Sequence, residues 1–128
     1  MAVEHSFREG VLTIAAVGVY EPRDLVQAFL AAMNDPACPR PVAMMFDVSR
    51  SESLATRSTG EIRKMAEFAG SYADRIGGRL AVVAASDVHF GLSRIGAARS
   101  ESIGVDAQVF RTAADALKWL GGPETARR

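Results

Sequence analysis

A chain of 128 residues with 48% hydrophobic and 23% charged side chains has the size and composition of one globular domain with a conventional core, which excludes disorder of the whole chain. Fifteen basic and fifteen acidic side chains give a formal net charge of zero, and the basic ones (13 Arg, 2 Lys) are scattered, which excludes the basic patch of a nucleic-acid binder and the polybasic segment of a membrane anchor. Cys38 is the sole cysteine, so no internal disulfide is available, and no apolar run approaches the roughly 20 residues that span a bilayer.

Residues 1–10 carry Glu4, His5, Arg8 and Glu9 and lack the apolar stretch of a signal peptide, so a cytoplasmic location is expected. The 22 alanines and the excess of Arg over Lys fit a GC-rich bacterial genome. Ser6-Phe7-Arg8 reads as a short strand and Glu9-Gly10 as a turn. Val11 to Val17, rich in β-branched residues, completes a hairpin. Pro22 suits a first helical position, and Leu25, Val26, Phe29, Leu30 and Met33 recur at helical spacing up to Asn34. Pro36, Pro39 and Pro41 mark a loop. Val42 to Val48 (VAMMFDV) is broken only by Asp47 and suits a strand buried on both faces.

Ser58-Thr59-Gly60-Glu61 predicts a capping box, followed by a helical stripe of Ile62, Met65, Ala69, Tyr72 and Ile76 and a stop at Gly77-Gly78. Leu80 to Ala85 reads as a second buried strand. Ser86 or Asp87 caps a further helix with Val88, Leu92, Ile95 and Ala98 on its inner side, where Gly91 and Gly96 either allow close packing or make the helix irregular. Ala107 to Phe110 is a last strand. Thr112 caps a final helix, with Ala116, Leu117, Trp119 and Leu120 turned inward. The order is ββαβαβαβα: an α/β fold with a mixed, mostly parallel sheet and about four helices. Residues 1–121 are expected to form a single domain and 122–128 a flexible tail.

The order of elements resembles the STAS fold of anti-sigma-factor antagonists, and more closely the SpoIIAA-like group, also described as STAS/SEC14-like. The residues that carry this are Gly10-Val11-Leu12 with Gly18-Val19-Tyr20, Met45-Phe46-Asp47, Gly78 to Ala84, Phe90 to Arg94, Val109-Phe110 and Ala113 to Leu120, spread over most of residues 8–121. The resemblance implies a small bacterial domain that binds something. In the antagonists a serine at a helix start beyond the third strand is phosphorylated within an Asp-Ser-Ser/Thr-Gly-like motif. Here Asp47 matches, but no glycine follows the serines and the segment is longer, so the native protein is expected to be unphosphorylated.

The candidate ligand or partner surface follows from the same comparison and from the rule that open α/β sheets bind ligands beyond the carboxyl ends of their strands. It comprises Asp47, Ser49, Arg50, Ser51, Ser53 and Arg57 in a segment read as a loop from Asp47 to Ser58. His89 and Arg94 join it from the next helix, Arg94 as an anion clamp with Ser93. Each has a plainer reading, as a capping serine, a surface histidine or an ion-paired arginine. Ser86, Asp87 and His89 are too close in sequence for a catalytic triad, and two histidines and one cysteine show no metal-ligand spacing, so no catalytic residue, metal or cofactor is assigned.

Three functions remain. The favoured one is a non-enzymatic regulatory or protein-interaction module, for which a homodimer is compatible. The second is a binder of a small apolar or amphipathic ligand, by analogy with SEC14. The third is a small enzyme using His89 and the serine segment. A deep apolar pocket favours the second, and a Ser–His side-chain hydrogen bond in a cleft favours the third.

Overall fold

Gly10 takes a φ of 78°, a left-handed conformation open to glycine at little cost, and there the chain turns back on itself. Strand β1 (Val3–Arg8) thereby pairs antiparallel with β2 (Val11–Gly18), Arg8 opposite Val11 and Val3 opposite Ala16. β1 begins three residues before the expected Ser6, because Val3 gains a cross-strand partner and a place in the core. The computed structural model describes residues 3–8, 10–39, 41–52, 59–102 and 104–121.

Three further strands, β3 (Ala43–Ser51), β4 (Arg79–Val83) and β5 (Asp106–Phe110), run parallel to β2 in one sheet of order β1-β2-β3-β4-β5. Helices α1 (Pro22–Asn34), α2 (Thr59–Gly70), α3 (Asp87–Ser102) and α4 (Ala113–Gly121) complete the order ββαβαβαβα. The two continuous apolar runs are adjacent parallel strands inside the sheet, Met44 opposite Leu80 through to Asp47 opposite Val83. That is where both faces of a strand are covered and alternation is lost.

The two faces are covered unequally. Leu12, Ile14, Met44, Leu80 and Val82 point to one face and pack with residues of α1, α2 and α3. Met45, Ala81 and Val83 point to the other and, among the described residues, pack with Ala116, Leu120 and Trp119 of α4. Burying each large aliphatic side chain contributes about 1.5–3 kcal/mol, so the three-helix face supplies most of the hydrophobic stabilisation.

The helix starts follow their local chemistry. Pro22 opens α1, and the Asp24 carboxylate accepts the Glu21 N–H at 2.9 Å. Ser86 Oγ accepts the His89 N–H at 3.1 Å, and Thr112 Oγ1 accepts the Asp115 N–H at 3.2 Å. The expected cap Ser58 lies outside the described residues.

Three expectations are corrected. The stripe of α2 does not run on to Ile76. The helix ends at Gly70, and successive turns over 71–78 carry the chain to β4, with Ile76 still buried. In α3 the inner side is formed by Leu92, Ser93, Gly96, Ala97 and Ser100, while Val88 is 57% exposed and Ala98 is exposed. Apolar residues are spread around α3, so the small ones that permit close approach decide its orientation. In α4, Leu117 is 39% exposed, because a single helix covers only part of its face.

Candidate functional site

The pairing of β2 with β3 slips at the sequence-predicted site. Ala15 lies opposite Asp47, but Val17 lies opposite Arg50, so two steps along β2 match three along β3. The extra residue is a bulge at Val48-Ser49. In an unbroken strand, residues three apart face opposite sides. Here Asp47 and Arg50 line the same groove, while Val48, 1% exposed, points into the core. Asp47 Oδ1 holds the bulge by accepting both the Ser49 N–H at 2.9 Å and the Ser49 hydroxyl at 2.6 Å.

Asp47 to Ser51 therefore belong to a strand and not to the expected loop. Ser51 is 6% exposed and opposite Gly18, which withdraws it from a ligand surface. Ser53 and Arg57 lie outside the described residues. The groove that holds Asp47 and Arg50 is about 430 Å³, on the face that α4 covers among the described residues. Its remaining walls include Glu4, Ser6 and Thr13 from the hairpin and Leu117 from α4. It is a concavity of mixed lining with charges of both signs.

His89 and Arg94 are not brought to this groove. Both lie on α3, across the sheet. The His89 backbone N–H serves the helix start, and its Nδ1 is buried with no hydrogen-bond partner. Among the described residues, no serine hydroxyl is bonded to an imidazole nitrogen. Arg94 is exposed while Ser93 faces inward, as adjacent positions about 100° apart on a helix must, so the two do not form a clamp. The nearby Arg111 is engaged structurally. It lies over the Phe90 ring at 4.2 Å, donates to the Ala85 carbonyl at 3.0 Å and pairs with Asp87 at 3.0 Å.

The second concavity was not foreseen. Between the sheet and helices α1, α2 and α3 lies a partly open cavity of about 120 Å³. Phe29, Met44, Phe46, Ile62, Met65 and Val82 give it an apolar wall. Its origin is the meeting of two helix faces poor in volume. Ala66 and Ala69 of α2 face the cavity together with Ser93, Gly96, Ala97 and Ser100 of α3. Close approach of the helices is fixed beside it: a Cβ placed on Gly96 would lie 3.2 Å from Ile62 Cγ2, and Arg99 pairs with Glu67 at 2.8 Å. The spacing of the four small α3 residues at helical intervals was the available signal.

No known family's sequence profile matches the chain, and no curated protein matches it in sequence. Among solved structures, an uncharacterised DUF3478-family protein with a SpoIIAA-like fold, from Shewanella loihica PV-4, superposes with a TM-score of 0.59 at 13% identity over 93% of this chain and 92% of that one. The likeness at that identity is one of fold, and the fold of this chain is SpoIIAA-like. Among the described residues, no helix is long and apolar enough to cross a membrane.

Proposed function

We propose that the chain is a non-catalytic binding module that takes a small apolar or amphipathic molecule into the cavity between the sheet and helices α1, α2 and α3. The observation that carries this reading is the cavity of about 120 Å³ itself, with its apolar wall. Protein interiors are close-packed, and voids larger than a water molecule are few. An apolar wall left facing such an opening is stabilised when an apolar molecule covers it. The absence of a catalytic assignment rests on His89, whose backbone N–H is capped by the Ser86 hydroxyl and whose Nδ1 meets no hydroxyl among the described residues.

Xenon under pressure and toluene are suitable first probes, because dry apolar cavities of similar size accept such species. Toluene is expected to raise the unfolding midpoint with concentration, as any ligand of the folded state does. Both probes should shift the NMR methyl signals of Ile62, Met44 and Val82. A flat midpoint and unmoved methyl signals with both probes would sink the reading.

A regulatory interaction with a protein partner is the second reading, favoured by the groove that the bulge creates at Asp47 and Arg50. Under it, Arg50→Glu abolishes partner binding and leaves the toluene response intact.

A further inference from the structure

We infer that the ligand of the apolar cavity is an uncharged single-ring or short-chain molecule with one hydroxyl-type group, anchored by Ser93 or Ser100 of α3, and not a long-chain lipid. This rests on the cavity-binding reading above and adds the class of ligand to it. Size is the first argument. The cavity measures about 120 Å³. An apolar cavity of about 150 Å³ accepts benzene, whereas drug-sized ligands occupy roughly 300–1,000 Å³. Six to eight heavy atoms is therefore about the capacity of the space.

Polarity is the second argument. Among the described residues, Ser93 and Ser100 are the only polar side chains in the wall. They lie seven residues apart on α3, on one side of the helix, separated by Gly96 and Ala97, which leave room in front of them. Ser100 is 2% exposed, so its hydroxyl sits in apolar surroundings. A serine hydroxyl both donates and accepts, and so suits the hydroxyl of an alcohol or a phenol, which does the same. Among the described residues the wall offers no Lys, Arg or His. Against these residues a carboxylate or phosphate would enter an apolar site without a counter-charge, which is strongly unfavourable.

The test is titration of the full chain, by calorimetry and NMR, with benzyl alcohol, toluene, benzoate and dodecanoate. Benzyl alcohol and toluene should bind and the two carboxylates should not. Ser93→Ala or Ser100→Ala should weaken benzyl alcohol about fivefold, the worth of one hydrogen bond, and leave toluene within about twofold. Ser100→Cys, a gentler change, should lie between wild type and alanine for the alcohol if Ser100 is the anchor. If both alanine variants treat the alcohol and toluene alike, the anchor is refuted while the cavity reading survives. Dodecanoate or benzoate binding at least as tightly as benzyl alcohol overturns the proposed class. If no probe binds wild type, and Ala97→Val changes no spectrum in their presence, the cavity reading falls as well.

Discussion

Arg79 shows how much one side chain can tie together. Its guanidinium donates to the Trp119 carbonyl at 2.6 Å and the Leu120 carbonyl at 3.3 Å, and it lies 4.1 Å from the centre of the Trp119 ring. It thus satisfies carbonyls that the last turn of α4 leaves open, and it joins β4 to that helix. Arg79→Ala is expected to destabilise the fold by about 2 kcal/mol in urea unfolding, and Arg79→Lys should recover less than half of this, since an ammonium lacks the planar fork. The Asp47–Ser49 pair acts on a smaller scale. Ser49→Ala removes one hydroxyl bond and should cost about 1 kcal/mol, whereas Asp47→Ala removes both bonds that hold the bulge and should cost more. With Ser51 buried and the Ser49 hydroxyl committed to Asp47, mass spectrometry of protein from its own host is expected to find neither serine phosphorylated.

At the scale of elements, α3 offers an internal comparison. Gly91 and Gly96 both lie inside this helix, and alanine is favoured over glycine there by about 1 kcal/mol. A Cβ at position 91 would meet nothing within 4 Å, so Gly91→Ala should stabilise by about 0.5–1 kcal/mol. At position 96 it would lie 3.2 Å from Ile62 Cγ2, so Gly96→Ala should gain less, and the difference between the two unfolding free energies measures the crowding of α2 against α3. The Arg99–Glu67 pair across the same helices has both side chains well exposed, at 39% and 46%, so breaking it with Glu67→Gln should cost less than about 0.5 kcal/mol. Packing, rather than this ion pair, holds the helices together.

At the scale of the molecule, three helices on one face of the sheet and one on the other leave two different concavities. The crowded face retains a small apolar cavity, and the thinly covered face a groove of mixed lining that holds charges of both signs. Ala97→Val places two methyl groups at the apolar cavity and is expected to raise stability by about 0.5–1 kcal/mol while abolishing the toluene-induced rise in the unfolding midpoint. A rise that persists in this variant would place the toluene elsewhere.

The order of elements was readable because its signals are local. Alternation ends and continuous apolar runs begin at Val42 and Leu80, Gly10 takes the turn, and Thr112 and Ser86 cap helices within three residues of themselves. The resemblance to SpoIIAA-like proteins rested on the same ordered signals, and the fold agrees with it. The sites were not readable in this way, because they depend on pairing across the chain. That Asp47 and Arg50 share a face follows from a one-residue slip against β2, and nothing in residues 47–50 alone marks it. His89 and Arg94 fell on the far side of the sheet because α3 joins the three-helix layer. The cavity exists because small residues of α2 and α3 meet over the sheet, and an unfilled volume is a difference between surfaces that only the assembled chain brings together.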